Sequence, residues 1–393
     1  MAPALSASME RRVRRELQEW SEAANSNWEA VVVGAGLAGI VAADQLARRG
    51  VRVLLLDRKH FPREKVCGGC LNARAVQLLR DLGFGDCLDD LGGHSLQRLE
   101  LFARGKSLQI DLPGGMAISR SRLDDAMLKQ AIAAGVTFLP GVDARVEPFE
   151  QNSNQRQLSC RTDNHGRRVS TSLVIIATGI SSEPMPADHQ LSFAESKDAR
   201  IGVQVTLDPA PASFQPGIIY MAVGQHGYVG LTRTEGQSLN LAAAVDRSAL
   251  RQSTAADVCQ RILAENGMSL PASALAANWK GTCGLTRSRC AAGERLFVVG
   301  DAGGYVEPFT GEGMELAIQS GSAVTELAQR AANRWDPDLK SEWSRQFDAL
   351  VTRRQWVCRG LSRILRYPLL LRTAFGVTSR FPSLGRAVAR MVT

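Results

Sequence analysis

Gly34, Gly36 and Gly39 follow the apolar run Ala30-Val31-Val32-Val33 at G-x-G-x-x-G spacing, and a carboxylate, Asp57, stands about 20 residues beyond the first of them. These residue types suit the binding of a phosphate-bearing cofactor. Gly34 permits a sharp turn out of a strand, Gly36 lets the backbone approach a pyrophosphate with no Cβ in the way, and Gly39 lets the following helix lie close to the sheet. Asp57 is then placed to accept hydrogen bonds from ribose hydroxyls. A second group of reactive residue types is Cys67-Gly68-Gly69-Cys70, whose C-x-x-C spacing suits a redox dithiol, two metal ligands, or two thiols lining a cofactor pocket. No second Cys/His pair lies nearby to complete four ligands, so no metal is expected.

The elements that must position these residues can be read around them. Ile40, Ala43 and Ala47 recur at helical spacing, Gly50 ends that helix, and residues 51–56 form a second strand leading to Asp57. Strand, glycine turn, helix, strand and acid in register make a complete dinucleotide unit. Residues 73–90 carry Val76, Leu79 and Leu82 as a helical stripe, and residues 98–112 alternate on both sides of Arg104-Gly105-Lys106, as a hairpin does. A helix is expected over 123–134, with Asp124 and Asp125 in its first turn complementing the dipole. Short buried strands are expected at 137–139, 173–176 and 295–299. The second of these leads into Ala177-Thr178-Gly179, and the third into Gly300 and Asp301. Asp301, at a strand end beside glycines, can accept a hydrogen bond from a polyol hydroxyl, and Gly311 to Met314 opens a helix running to about residue 332. Between about 184 and 280 the alternation of 202–207, 218–222, 227–231 and 239–245 predicts an antiparallel sheet, interrupted by a helix over 255–265.

Composition narrows the class. No apolar run approaches the ~20 residues that span a bilayer, and the scattered cysteines suit a reducing compartment, so a cytoplasmic protein is expected. Residues 1–27 carry Arg11, Arg12, Arg14 and Arg15 among four glutamates with no apolar segment, which predicts a solvated extension. From Ala349 onward nine arginines meet no Asp, Glu or Lys, while the rest of the chain holds 38 basic and 39 acidic residues, so the net charge of +8 resides in this tail. Val357, Leu361, Ile364 and Leu365 share one helical face there, with Arg359, Arg363 and Arg366 opposite. That pattern fits a helix packed on the protein with its basic side in water, or one peripheral at an anionic membrane surface or acidic partner. No nucleic-acid-binding motif accompanies the charge.

Three segments, GAGLAG with Asp57, FPREKVCGGCL, and VVGDAGGYVEPFTGEGMELA, together resemble the geranylgeranyl reductase branch of the FAD-dependent aromatic hydroxylase superfamily. The resemblance implies an α/β protein of p-hydroxybenzoate hydroxylase-like fold. A Rossmann-like FAD-binding domain with a parallel sheet (28–95, 115–186 and 281–334) would be joined to an antiparallel-sheet substrate domain (96–114 and 187–280), with C-terminal helices over 335–393. It implies FAD held by Gly34, Gly36, Gly39, Asp57 and Arg58 at one end. Gly300, Asp301, Pro308, Gly311, Gly313 and Met314 would hold the other, with Cys67, Gly68, Gly69, Arg120 and Gly179 as further contacts. The chain keeps a tyrosine, Tyr228, where those reductases carry a tyrosine-tryptophan-proline signature, and has Thr178-Gly179 where hydroxylases carry aspartate-glycine. CGGCLN also loosely resembles the active segment of disulfide reductases, but their second nicotinamide-binding glycine motif is absent from the sequence. Electrons would then come from transiently bound NAD(P)H or from an electron-transfer protein. Two activities are expected from the resemblance. One is hydride passage through the flavin to a carbon–carbon double bond of a hydrophobic substrate, with Cys67 or Tyr228 supplying the proton. The other is hydroxylation of an electron-rich ring, and a non-catalytic flavin- or lipid-binding module would use the same cradle without turnover.

Overall fold

The computed structural model of the chain describes residues 20–151, 153–163, 165–181, 194–305 and 312–366, with backbone alone for 181 and 353–366. Among these residues the molecule is organised by two large sheets. The first is eight-stranded, and its parallel part runs Leu296–Val298, Gly166–Ile176, Trp28–Val33, Val53–Asp57, Thr137–Pro140. Its strands read as continuous aliphatic runs because both faces are covered. Ala30, Val32, Leu55, Leu173 and Ile175 point to one side, under the helices Leu37–Ala47, Arg120–Ala133 and Glu312–Asn333. Val31, Val33, Leu54, Leu56, Val174 and Ile176 point to the other.

That second side shows two departures from the sequence reading. The strand expected at 173–176 is the end of a long one, and its first half pairs with Arg156–Arg161, which pairs with Asp143–Val146. These polar-faced strands carry only one buried side, so their sequence lacks the continuous apolar run of the parallel strands. The N-terminal extension also ends earlier than residue 27, since Trp20 and Ala23 are buried against Val31 and Leu54. Smaller shifts are found at the strand ending in Asp57, which begins at Val53, and at the helix expected from Leu123, which begins at Arg120.

The second sheet is seven-stranded, in the order Lys280–Gly284, Ile201–Leu207, Leu239–Val245, Gly227–Arg233, Ile218–Gly224, Arg98–Ala103, Lys106–Asp111. The hairpin expected over 98–112 thus joins this sheet, and since Arg98–Ala103 pairs parallel to Ile218–Gly224 the sheet is antiparallel but for that one pair; the two-residue turn is made by Arg104 and Gly105, both at positive φ. Lys280–Gly284 pairs with Ile201–Leu207, so the sheet extends past the boundary expected at residue 280. One face of this sheet carries Val203, Val205, Leu207, Val229, Leu231, Leu239 and Leu241 and is sealed by the helix Ala255–Ala264, whose Val258, Ile262 and Leu263 are fully buried. Thr254 and Asp257 form a capping box at the start of that helix. The opposite face turns toward the nucleotide sheet.

The C-terminal helix, Asp338–Arg366, docks through Leu339, Trp343, Phe347 and Val351. The Trp343 indole N–H donates to the Val298 carbonyl at 3.1 Å, and its ring stacks obliquely on Phe297 and Phe347. Truncating such a buried aromatic costs about 3–5 kcal/mol, so the first half of this helix belongs to the core. The arginine-bearing faces inferred beyond residue 352 lie outside the described side chains. No helix among the described residues is long and apolar enough to cross a membrane.

Candidate functional site

The glycine turn is built as its spacing requires. Gly34 sits at φ +106°, and a Cβ at Gly39 would overlap the Gly34 carbonyl oxygen, so helix and turn touch through backbone alone. Gly36 differs. A Cβ there would meet only side-chain tips, Arg120 Nη2 and Arg63 Nη2 at 3.8 Å and Lys65 Nζ at 4.0 Å. Three cationic groups therefore converge on the space that the turn leaves open.

Each of the three is held by a carboxylate. Arg120, buried at the start of its helix, donates through Nε and Nη2 to both oxygens of Asp124 at 2.7 Å. Burial works against its charge, but Asp124 outweighs burial and raises the pKa of the guanidinium. Arg63 donates to the Ala35 carbonyl at 2.9 Å, lies 3.4 Å from Asp124 and 3.6 Å from Asp57, and stacks over Phe61. Lys65 Nζ lies 3.7 Å from Asp301 Oδ2 and 3.1 Å from where a Gly179 Cβ would stand. Burial first, then Arg120, push the Lys65 ammonium below its usual pKa of 10.5, and Asp301 opposes them. Asp57 closes the turn, its Oδ2 accepting from the Ala35 N–H at 2.8 Å and its Oδ1 from the Lys59 N–H at 2.9 Å.

Most of the expected cofactor residues thus come together. Gly34, Gly36, Gly39, Asp57, Arg120, Gly179 and Asp301 surround one space, and Gly300 beside Asp301 donates its N–H to Ser320 Oγ at 2.9 Å. Arg58 follows Asp57 and is exposed. Gly313 and Met314 lie in the first turn of the helix Glu312–Asn333, while Pro308 and Gly311 lie outside the described residues. The sequence reading missed Arg63, Lys65 and Asp124 as site residues. The first two stand inside the FPREKVCGGCL segment. Asp124 was expected to complement a helix dipole, but the earlier helix start puts it in the second turn, buried between two guanidiniums.

The Cys67–Cys70 loop lies between this space and the antiparallel sheet. Asn240 Nδ2 donates to the Cys67 carbonyl at 3.0 Å, Glu64 pairs with Lys280, and a Cβ at Gly69 would stand 3.3 Å from Asn240 Nδ2. Both thiols are free. Burial and then the neighbouring Cys67 push the Cys70 thiol up to about 12, which disfavours its thiolate. Tyr228 is buried beside Ala244, Ile180 and Leu285 with the Arg200 guanidinium over its ring. Tyr228 and Thr232 share a face of one strand, four residues or about 13 Å apart. Since Asn240, the cross-strand partner of Thr232, holds the Cys67 carbonyl, the Cys67 backbone and Tyr228 stand toward opposite ends of that face.

Residues 27–333 match the FAD binding domain family. The chain belongs to this family. It is an FAD-dependent oxidoreductase of the p-hydroxybenzoate hydroxylase-like flavoproteins, in line with the superfamily resemblance of its motifs. The chain is 28% identical over 392 residues to the menaquinone reductase of Mycobacterium tuberculosis, covering 93% of this chain and 90% of the relative. It is 24% identical over 383 residues to a probable electron transfer flavoprotein-quinone oxidoreductase of Escherichia coli, covering 88% and 86%. Among solved structures it superposes on a flavoprotein/dehydrogenase from Cytophaga hutchinsonii with a TM-score of 0.74 at 15% identity, covering 92% of both chains. A flavin-dependent brominase gives a TM-score of 0.72 at 16% identity over 93% of both chains, which marks the shared fold.

The residues present fit FAD. A pyrophosphate matches the space at Gly36 bounded by Arg63, Lys65 and Arg120, and a ribityl hydroxyl matches Asp301, whose Oδ1 is buried with no hydrogen-bond partner among the described residues.

Proposed function

We propose that this flavoprotein is a reductase that passes hydride through FAD to a carbon–carbon double bond of an extended hydrophobic, isoprenoid-type substrate. The observation that carries the reading is a pair of small residues at the centre of the second sheet. Gly230 and Ala242 pair across its two central strands on the face turned toward the cofactor domain, yet both are only half-buried. Central strand positions facing a covered side are ordinarily closed. Here both side chains are small, and the proposed hollow for the substrate lies over them, between the Cys67–Cys70 loop, fixed at Asn240, and the Gly179–Ser181 turn, whose Ile180 packs by Tyr228.

Bound FAD supplies the hydride chemistry, and the chain's residues orient the acceptor and deliver a proton. Met221, Leu101 and Val223 beside the hollow favour an apolar chain. Cys67, whose carbonyl is held by Asn240, and Tyr228 at the other end of the face are the proposed proton-donor candidates. The likeness to menaquinone reductases over nearly the whole chain supports a polyprenyl-bearing acceptor, and the geranylgeranyl reductase-like motifs point the same way. NAD(P)H or an electron-transfer protein is the proposed reductant, since the sequence carries no second nicotinamide motif. The basic tail is proposed to bring the protein to an anionic membrane surface, where such substrates reside.

Mass analysis of the product formed from a polyprenyl substrate tests the reading. A gain of two hydrogens with no oxygen consumed is expected. A gain of one oxygen atom, with oxygen consumed in equal amount, would instead make the protein a monooxygenase.

A further inference from the structure

The registers of the seven-stranded sheet bring five residues of distant sequence into one row on the face that carries Gly230 and Ala242: Gln204, Ala242, Gly230, Met221 and Leu101. The two small residues lie in the middle, an amide at one end and apolar side chains at the other. With strands ~4.8 Å apart, the row spans about 19 Å. Its polarity is mirrored in the neighbouring row, which reads Thr206, Asn240, Thr232, Ile219 and Leu99. The face therefore grades from hydrogen-bonding to hydrocarbon along the direction perpendicular to the strands.

Gln204 is 8% exposed. Its Nε2 donates to Asn240 Oδ1 at 2.7 Å and to Thr206 Oγ1 at 3.1 Å, and Asn240 donates in turn to the Cys67 carbonyl. These bonds fix which end of the amide is oxygen, because a flipped amide would face the Asn240 oxygen with its own. They leave Oε1 buried with no hydrogen-bond partner among the described residues. Tying the cysteine loop to the sheet accounts for the donor side of Gln204 and leaves the acceptor unexplained. A buried acceptor without a donor costs free energy unless a bound group supplies one.

We infer that Gln204 reads the head of the substrate: the substrate lies across the strands with a hydroxyl-bearing head donating to Gln204 Oε1 and its hydrocarbon chain running over Gly230 toward Met221 and Leu101. The inference rests on the proposed apolar substrate of this hollow, and adds its orientation and the chemical group that is selected. A site that hydrogen-bonds a substrate hydroxyl discriminates strongly against the analogue lacking it.

The test uses the holoprotein with oxidised FAD and needs no turnover. Farnesol and farnesyl methyl ether, equal in chain but differing in the donor, are titrated while the visible absorption of the flavin is followed. The alcohol is expected to bind on the order of ten- to a hundredfold tighter than the ether. In Gln204→Leu this preference disappears by loss of alcohol affinity, with ether affinity and FAD content unchanged. Equal affinities in the unmodified protein would overturn the inference whatever the variant does, and so would a preference that survives in Gln204→Leu. The reductase reading fails separately. Head selection without flavin reoxidation by any polyprenyl acceptor leaves the orientation standing and removes that activity.

Discussion

The two sheets treat their faces differently. In the nucleotide sheet both sides are sealed by aliphatic residues, and the glycines and charged side chains that fit FAD converge at the strand ends. In the antiparallel sheet one face is sealed by a helix and the other is left partly bare at Gly230 and Ala242. The first arrangement gives a rigid edge that holds a charged ligand through backbone and ion pairs. The second gives the floor on which we propose that the apolar substrate lies, since its two central residues there are small.

The largest effects should come from the edge. Gly39→Ala drives a Cβ into the Gly34 carbonyl and should destabilise the fold by about 3 kcal/mol or more, read as a fall in melting temperature. Gly36→Val should leave folding nearly intact, because the nearest atoms to a Cβ there are side-chain tips at 3.8 Å or more, and yet abolish FAD binding by filling the pyrophosphate space. Full FAD occupancy in Gly36→Val would break the distinction between the two glycines. At the floor, Gly230→Leu should keep FAD and lower turnover of a polyprenyl substrate by at least about tenfold, equivalent to ~1.4 kcal/mol. Unchanged kinetics would mean that the hollow is not the substrate seat.

How much of this contrast is visible in the sequence follows from its geometry. The nucleotide edge is local: Gly34, Gly36, Gly39 and Asp57 lie within one strand-helix-strand unit, and each is dictated by a backbone constraint that the residue type betrays. Asp124 was misassigned because its role depends on a helix start three residues earlier than expected, and Arg63 and Lys65 because a loop gives no periodicity. The floor is non-local. Gln204, Gly230 and Ala242 are ordinary strand residues until the registers pair them, and a slip of one residue would send every one to the sealed face. The antiparallel sheet itself was legible from alternation, while its hollow was not.

Smaller effects sharpen the edge. The ammonium of Lys65 is held below its usual pKa, and the protonated form is the one that attracts a pyrophosphate. FAD affinity of the apoprotein should therefore be highest below that lowered pKa and fall as pH rises through it. Lys65→Met should weaken binding near neutrality and flatten the dependence, as measured by flavin fluorescence. Cys70→Ser should change flavin-to-substrate transfer little, because burial disfavours the thiolate of that side chain. Abolished turnover with normal flavin reduction would instead assign the pair a dithiol role.

The weakest predicted effect concerns the tail. Replacing Arg359, Arg363 and Arg366 by Gln should reduce sedimentation with anionic vesicles at low salt, each charge contributing about 1 kcal/mol at most, and leave FAD content unchanged. Failure of the unmodified protein to pellet with such vesicles would remove the membrane contact.

Single-turnover reoxidation tests the central claim most directly. FAD bound to the protein is reduced without oxygen and mixed with a polyprenyl acceptor, and the oxidised visible spectrum is followed. The account predicts that the spectrum returns in step with saturation of one double bond per flavin, and that Gly230→Leu slows the return while holding its FAD. Return of the spectrum only on admission of oxygen, with the polyprenyl chain recovered unsaturated, would contradict it.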